Sequence, residues 1–410
     1  MTFAVSHPAL RGRSLKPLRA RRGVVVGVST PLFWALAIVV LVLNFFGTLM
    51  IVSSSSVESV RLSSGSPWVF AQQQIKWTVV GLVLMLVTLC VSVHLWRRLA
   101  VVAFWLSLVP LAAVLVPAVG ASKNGAARWI DLGPINFQPS EFVKLTMVLV
   151  VAEVLTRRTR RMDDWRGTLL PAFVNFLPVA VLIMLQPNLG TTLIIATAVV
   201  AMVWVSGVPA RAFLSLGLLG VIGAGAAVLL APFRFRRFTA FLDLRNNLSG
   251  TGYQPGQALV GFANGGFVGR GLGRSTIKWG YLPYPYNDYI LAVIGEELGL
   301  LGTLFVVALF VTFVCVGAAI ARATNDRFAR LVAAGITAWI GGQALLNMAV
   351  VTSVVPSTGV PLPFISFGGS AQIVNLVAVG MLLNIARHPR REEPVDPEVE
   401  AVHRRFESVA

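Results

Sequence analysis

Long apolar segments separated by shorter polar ones make up most of the chain. A membrane-spanning helix needs about 20 consecutive and predominantly apolar residues. About ten segments approach that length, at residues 31–53, 74–94, 97–119, 139–157, 169–186, 188–206, 211–231, 289–320, 329–353 and 367–387. The pattern predicts an all-α polytopic membrane protein with about ten transmembrane helices.

The positions of lysine and arginine indicate the orientation of these helices. Residues 1–30 are rich in arginine, and Arg97, Arg157 and Arg322 lie in or beside connections on the same side of the predicted bundle. Short cytoplasmic loops carry an excess of Lys and Arg, so that side is expected to be cytoplasmic. An even number of spans then places the C-terminus inside as well.

Three regions follow from this arrangement. We expect a basic cytoplasmic tail at 1–30, a ten-helix membrane domain at 31–388 and a disordered cytoplasmic tail at 389–410. Within the membrane domain, residues 232–288 form a large extracytoplasmic loop between the seventh and eighth helices. Long loops can cross the membrane despite positive charge, so the arginines of this loop do not contradict the orientation.

The composition supports a membrane protein and argues against nucleic-acid binding. The 410 residues are 56% hydrophobic and 12% charged, whereas soluble domains average about 25% charged residues. The formal net charge is +17, but the basic residues are clustered between apolar segments and accompany no nucleic-acid-binding motif. The excess charge is therefore explained by loops at a membrane surface.

The longest polar interruption, residues 250–302, contains a carboxylate at the start of the predicted eighth helix. This residue is Asp288, and Glu296 and Glu297 follow inside the helix. Ionisable side chains next to hydrocarbon are costly, so their presence indicates a function. The two glutamates lie about two turns deeper than Asp288, and we expect them to be structural.

Basic and acidic residues near the predicted fourth helix are further candidates. Glu141 and Lys144 are three residues apart and share one helix face, where they form either a structural ion pair or part of a functional cavity. Arg128 precedes that helix, and a guanidinium group matches phosphate oxygens in a bidentate manner. The glycine-rich run 265–273 is either a diphosphate-binding backbone or a tight re-entrant turn.

These patches together resemble the shape, elongation, division and sporulation (SEDS) family. The resemblance covers roughly residues 30–388 and is closer to the division branch of the family than to its rod-shape branch. It depends on Asn124-Gly125 with Arg128-Trp129, Phe137–Lys144, Gln186-Pro187 with Leu189-Gly190, Gly271-Leu-Gly273, Lys278, Tyr281-Leu-Pro283, Asp288, Ile294–Gly299, Leu362-Pro363, Ser366 and Gly368-Gly-Ser370.

The resemblance implies a ten-helix peptidoglycan glycosyltransferase of the bacterial cytoplasmic membrane and the division septum. Such enzymes polymerise lipid II onto an undecaprenyl-diphosphate glycan and act with a class B penicillin-binding transpeptidase and other divisome proteins. The family aspartate maps onto Asp288 as the catalytic base. The implied substrate-binding residues are Arg128, Lys144, Glu141, Lys278 and Ser370. No metal site is expected, although a divalent cation is left open as a cofactor.

Two departures from the family pattern and two rival functions remain. Residue 188 is Asn where the family usually has Asp, and Tyr284–Asn287 replaces a common Glu-Ala-His-Thr. Asn188 is a poor candidate for a required carboxylate. The rival functions are a lipid II flippase, which also needs intramembrane charges, and a non-catalytic division scaffold.

Overall fold

The computed structural model describes most of the chain as a bundle of α-helices. The described residues are 30–62, 66–123, 126–131, 133, 136–157, 165–248 and 250–387. The predicted tails, apart from residue 30, and the Asn124-Gly125 motif lie outside them. The helices are α1 (Pro31–Leu62), α2 (Val69–Cys90), α3 (Val93–Ala113), α4 (Pro139–Arg157), α5 (Trp165–Leu185), α6 (Leu189–Val205), α7 (Ala210–Leu229), α8 (Pro232–Leu242), α9 (Tyr253–Gly265), α10 (Ile290–Ala323), α11 (Arg327–Val351) and α12 (Gly369–Ala386).

The helices confirm the predicted class of a mainly helical, multi-pass membrane protein. Among the described residues, six helices are long and apolar enough to cross a membrane: α1, α2, α3, α10, α11 and α12. Two shorter apolar helices, Leu170–Leu185 within α5 and Leu189–Val205, accompany them. Every one of the ten predicted segments coincides with a helix, although the count of ten spans stays a prediction.

The predicted boundaries are wrong at two places where the chain has no strong stop signal. The first helix was expected to end at 53 but continues to Leu62, through four consecutive serines that begin at Ser53. The break between α2 and α3 consists of Val91 and Ser92, without Gly or Pro, and both helices begin four or five residues earlier than expected. Apolar periodicity alone does not locate such a break.

A small antiparallel sheet occupies the connection 120–138, where no strand was predicted. The strands are β1 (Gly120–Lys123), β2 (Ala126–Asp131) and β3 (Asn136–Phe137), in the order β1-β2-β3. An Asn-Gly dipeptide between two extended segments is a strong hairpin signal, and the sequence has one at 124–125, between the residues that β1 and β2 contribute. The pairing of Ile130 with Phe137 brings β2 next to the start of α4.

The core of the bundle is formed around α4 and α11. Helix α4 contacts α3, α5, α6, α11 and α12, and most of its side chains are buried on all sides. Between Lys144 and Glu153, every residue of α4 except Thr146 is apolar, and a segment that is apolar on all sides belongs inside a bundle. The sheet, α8, α9 and residues 353–368 lie at the helix ends that surround the start of α4, and we call this end of the bundle the loop face.

Helix α10 is broken at Gly299, whereas the sequence predicted one continuous helix at 289–320. Its 34 residues would measure about 51 Å as a straight helix, longer than the roughly 30 Å hydrocarbon core. Gly299 has φ 68°, and the interruption leaves helix backbone groups without their usual partners. The glycine-rich segment 266–271 supplies them: the amide of Arg270 donates to Glu296 O at 3.0 Å, and the amide of Leu300 donates to Gly266 O at 2.9 Å.

The same contacts decide between the two interpretations of the glycine-rich run. The amides of Gly269, Arg270 and Gly271 all donate to protein carbonyl groups. Gly266, Gly269, Gly271 and Gly273 have positive φ. The run is therefore a tight turn packed into the break of α10, and these three amides are not available to a diphosphate.

We expect Gly299→Ala to destabilise the folded protein strongly. A Cβ at this position would lie 2.6 Å from the carbonyl oxygen of Phe267, and a left-handed backbone costs a non-glycine residue about 1–2 kcal/mol before any clash. Thermal unfolding of the purified protein in detergent measures the effect. The control is Gly225→Ala in α7, where no other atom lies within 4 Å, so the melting temperature should not fall. Equal stability of the two variants would contradict a required break at Gly299.

Candidate functional site

Asp288 lies on the loop face, two residues before α10 begins, and its side chain is half-buried. Asn347 of α11 donates to the backbone carbonyl of Asp288 at 2.6 Å and to that of Val360 at 2.8 Å. Gly359, with φ 71°, approaches the Asp288 carboxylate so closely that a Cβ there would lie 3.9 Å from Oδ2. The carboxylate is thus held between the start of α10 and the connection that follows α11.

The Asp288 carboxyl has a pKa well above the ordinary value. Burial raises the pKa of Asp288 to about 6, while its own backbone amide and the positive charge of Arg237 act in the opposite direction. A carboxylate with a pKa near 6 is ionised at neutral pH and is a stronger base than an exposed aspartate. This combination suits general-base chemistry.

A polar stripe on α11 connects Asp288 with the buried charges of α4. Trp339, Gln343 and Asn347 are spaced four residues apart, so they share one helix face, and all three are buried. Gln343 donates from Nε2 to Pro361 O at 2.9 Å and accepts at Oε1 from Lys144 Nζ, also at 2.9 Å. The stripe was missed in the sequence, although amide side chains at i and i+4 in an apolar helix are a usable signal.

Lys144 and Glu141 form a buried ion pair on α4. Lys144 Nζ lies 2.7 Å from Glu141 Oε2 and 5.0 Å from the ring centroid of Trp339, and both charged side chains are almost fully buried. With the bond to Gln343, the ammonium group has a carboxylate, an amide and an aromatic face around it. The structure therefore brings both predicted residues to the stripe that holds Asp288.

Arg128 reaches from β2 to the connection between α5 and α6. Its Nε donates to Gln186 O at 2.9 Å and its Nη2 donates to Pro187 O. Burial, together with the charges of Arg237 and Arg234, lowers the pKa of Arg128 to about 10. In the same connection Asn188 caps α6 by accepting from the Thr191 amide at 3.3 Å, which gives the Asn that replaces the family Asp a structural role.

Ser370, at the start of α12, joins that helix to the entrance of α4. Its hydroxyl donates to Asn136 O at 3.1 Å and accepts from the Gln138 amide at 3.1 Å. These two hydrogen bonds connect β3 to α12 and fix the beginning of α4. In this structure the geometry of Ser370 is that of a connecting residue.

The structure places Lys278 in a second cluster together with Glu297, while no hydrogen bond or ion pair joins it to Asp288 within the described residues. Lys278 Nζ lies 3.0 Å from Glu297 Oε1, 2.8 Å from Gly273 O and 3.2 Å from Ser53 Oγ. Glu296, its neighbour, accepts from Ser275, Asn264, Arg270 and the amides of 276 and 277. These saturated contacts hold segment 266–280 against α10.

The departure at Tyr284–Asn287 builds an aromatic cluster beside Asp288. The Tyr286 ring lies 4.6 Å from that of Phe70 and 5.7 Å from that of Phe367, and the Phe367 amide donates to Tyr286 O at 3.0 Å. Tyr284 has φ 50°, a strained value for a residue with a Cβ. The replacement thus anchors the segment before Asp288 to α2 and to the entrance of α12.

Within the described ranges, no group of three or more His, Cys, Asp and Glu residues could hold a metal ion. Asp288 has basic rather than acidic neighbours, since Arg237 is near enough to affect its pKa. The arrangement provides one base, Asp288, with the positive charge of Arg237 nearby. Chemically, it can remove a proton from a neutral nucleophile while an anionic group leaves nearby.

Comparisons with known proteins identify the family of the chain. The family FTSW_RODA_SPOVE, described as "Cell cycle protein", matches residues 33–391. Stage V sporulation protein E of Bacillus subtilis is 36% identical over 359 residues, which cover 87% of this chain and 97% of that protein. The probable peptidoglycan glycosyltransferase FtsW of Mycobacterium tuberculosis is 37% identical over 370 residues, covering 90% and 70% of the two chains.

Two solved structures have a similar fold. One chain, from work described as "Structural coordination of polymerization and crosslinking by a peptidoglycan synthase complex", aligns with a TM-score of 0.72 at 28% identity. The rod shape determining protein RodA of Thermus thermophilus aligns with a TM-score of 0.63, also at 28% identity. Each alignment covers 88% of this chain and 98% of the other.

We expect the Lys278–Glu297 pair to behave as a buried structural pair. Lys278→Met leaves the Glu297 charge without its cation, and loss of one partner of a buried pair typically costs about 3–5 kcal/mol. The double variant Lys278→Met/Glu297→Leu removes both charges and should recover part of the lost thermal stability.

The control is Arg157→Met, whose side chain is 69% exposed and whose removal should cost about 1 kcal/mol or less. Melting temperatures of the four proteins give the comparison. A Lys278→Met protein as stable as the control would assign Lys278 a role other than holding segment 266–280.

Proposed function

The chain belongs to the cell cycle protein family of FtsW, RodA and SpoVE, and we propose that Asp288 is the catalytic base with which it polymerises lipid II. The protein is a peptidoglycan glycosyltransferase. The observation that carries the mechanism is a half-buried carboxylate held at the start of α10 by Asn347, close enough to Arg237 for its charge to act on the carboxylate; burial raises its pKa to about 6. Its base form is present at neutral pH, and its surroundings suit an anionic leaving group.

Asp288 takes the proton of the acceptor 4-hydroxyl as that oxygen attacks the anomeric carbon of the donor sugar. The new glycosidic bond forms as the bond to the lipid diphosphate breaks, and the anomeric centre is inverted. General-base assistance contributes about 10²–10⁴-fold to such a step. Holding two membrane-bound substrates in line contributes up to about 7–11 kcal/mol, so positioning is the larger effect.

The remaining site residues have distinct roles in this proposal. Arg128 contacts the diphosphate, because it lies on the loop face and, within the described part of the chain, its guanidinium is bonded to backbone carbonyls and not to a carboxylate. Lys144 and Glu141 support the site from α4 through Gln343. Lys278 and Ser370 fix segment 266–280 and the start of α4, and their effect on substrate binding is through that geometry.

The proposal also includes a membrane topology, in which the site lies at the outer surface. The ten helices α1–α7 and α10–α12, apart from the short α8 and α9, span the membrane, with both termini cytoplasmic and the loop face outside. Lipid II and the glycan carrier reach Asp288 from the outer leaflet. A class B transpeptidase is the proposed partner, supported by the similarity to a chain from a synthase complex described as coordinating polymerisation and crosslinking.

The apolar packing along α4 argues against a flippase. Lys144 and Glu153 carry charges toward the two ends of α4, as a transport path would need. Between them, however, every residue except Thr146 is apolar, and all are buried. A lipid II headgroup moving along α4 would meet a packed apolar segment, whereas glycosyl transfer at the loop face needs no such path.

We expect Asp288→Asn to abolish glycan polymerisation while the protein stays folded. Asparagine preserves size but cannot accept the proton at neutral pH. Asp288→Glu displaces the carboxylate by one methylene, and a misplacement of about 1 Å can cost roughly 100-fold. The measurement is gel analysis of strands made from lipid II by the purified proteins, with and without the transpeptidase. Asp131→Asn, an exposed carboxylate on β2, is the control and should remain active.

The wild-type pH profile tests the same residue independently. The base must be ionised, so kcat/KM should fall as pH drops through about 6, the pKa of Asp288. Robust polymerisation by Asp288→Asn, or a flat profile between about pH 5 and 8, would rule out the general base and favour a flippase or scaffold.

Thiol labelling is expected to place the loop face outside the cell. In a protein with Cys90 and Cys315 replaced by alanine, Thr251→Cys between α8 and α9 should react with an impermeant reagent on intact spheroplasts. Ala323→Cys, at the opposite end of α10, should react only after lysis. Both positions are exposed, so accessibility differs only by side of the membrane. Labelling of Ala323→Cys from outside would reverse the arrangement.

A further inference from the structure

Helix α8 brings Arg234 to the end of α5, next to the connection 186–187 that Arg128 contacts. Arg234 donates from Nη2 to Met184 O at 3.3 Å and from Nη1 to Ala227 O at 3.0 Å. Met184 is two residues before Gln186, to whose carbonyl Arg128 donates. The Arg128 and Arg234 guanidinium groups therefore meet at the C-terminal end of α5.

Arg237, one turn further along α8, extends the group toward Asp288. Its Nη1 donates to Ser357 O at 3.3 Å, two residues before Gly359, which lies against the Asp288 carboxylate. A cleft lined by Arg237, Ala240, Phe241 and Ser357 opens beside it between α8, the start of α9 and the connection after α11. Arg237 lines this cleft, and its charge acts on both Asp288 and Arg128, so it connects the arginine group with the proposed catalytic base.

We propose that Arg128, Arg234 and Arg237 form one binding site for the diphosphate of a lipid-linked substrate, next to Asp288. This inference rests on the proposed function for the identity of the reaction, but it concerns binding, which can be measured without turnover. The sequence left the basic residues of the loop 232–288 between an anionic ligand and phospholipid headgroups, and favoured headgroups for most of them. The spacing of three between Arg234 and Arg237 places both on one face of α8.

The positive charges of these three arginines are not fully neutralised by carboxylates of the described residues. Among the described residues, none of the three lies within 4.0 Å of a carboxylate in an ion pair. The positive charges of Arg237 and Arg234 add to burial in lowering the pKa of Arg128, so the three groups repel one another. An anion bound among them would relieve that repulsion and would use the forked donors of each guanidinium.

Capping of the α5 C-terminus is the simpler explanation of two of these contacts. Arginines near a helix C-terminus are stabilised by its carbonyl groups and by the helix dipole. This explanation covers Arg128 and Arg234, but it gives no reason for a third arginine beside Ser357 and Asp288. The third arginine therefore favours a binding site over a cap.

Charge and surroundings identify the ligand as an isoprenyl diphosphate group. Three arginines and one aspartate carry three positive charges against one negative charge, an excess that matches the two charges of a diphosphate diester. Phe235, Phe238 and Leu242 lie at i, i+3 and i+7 of α8, away from Arg237, and are 44%, 39% and 67% exposed. An apolar stripe beside a cationic one suits a phosphate attached to a lipid chain.

Equilibrium binding to full-length Asp288→Asn protein tests the site in the absence of turnover. The probes are farnesyl diphosphate and farnesyl monophosphate, compared in Asp288→Asn and in the same protein with Arg234→Gln or Arg237→Gln. Loss of a charge-assisted contact should weaken diphosphate binding about tenfold or more and reduce the preference over monophosphate. Arg236→Gln is the matched control and should leave the preference unchanged, since Arg236 is exposed like Arg237 on the same helix, while among the described residues its side chain makes no bond comparable to that of Arg237 with Ser357 O.

The design separates binding from structural damage and from the proposed reaction. If a glutamine variant misfolds, Arg234→Lys and Arg237→Lys retain the charge and one donor, and they should still lose diphosphate preference at normal melting temperature. Unchanged preference in folded variants would show that the arginines only hold α5 and the loop at 357, and would overturn the proposal. Intact binding by a wild-type protein that fails to polymerise lipid II would instead overturn the proposed function and leave the diphosphate site standing.

Discussion

The need to pair every backbone polar group inside a membrane protein determines where the charges of this structure lie. The break at Gly299 frees backbone groups of α10, and segment 266–271 enters the break to bond them. Because of this, the first part of α10, from Ile290 to Leu298, stands as a separate buried helix. Asp288 precedes that short helix, so its position depends on the break about ten residues away.

Two charged clusters on the same loop differ in how completely hydrogen bonds and opposite charges within the protein satisfy them. Glu296 and Glu297 are surrounded by donors from Ser275, Lys278 and Ser53, and their lone pairs are engaged within the protein. Such groups are structural, because a ligand would have to displace several existing bonds. Near Asp288 the charge of Arg237 acts on the carboxylate, and Arg237 and Arg128 are bonded to carbonyl groups without being neutralised. Function is expected where compensation is incomplete, since a bound anion can complete it.

Much of this architecture was predictable from the sequence because apolar length and arginine position are strong signals. Each of the ten apolar segments became a helix, and the glutamates 296 and 297 proved to be bound within the protein, as expected. The break at Gly299 was not predictable, since a glycine in an apolar run fits a continuous helix equally well. The Gln343–Asn347 stripe and the inward face of α8 were missed for a related reason. The spacing of these residues shows that they share a helix face. It does not show which element packs against that face.

The arginines and Asp288 influence each other in a way that suits glycosyl transfer. In the free protein Arg237 stabilises the Asp288 carboxylate and so opposes the effect of burial on its pKa. A diphosphate among the arginines would cancel that stabilisation and place negative charge near the carboxylate, which raises its pKa further. In the proposed mechanism, Asp288 would then be a stronger base when the donor is bound, because its pKa would lie still further above the ordinary value. Binding of the leaving group and activation of the attacking hydroxyl would thus be coupled through one electrostatic interaction.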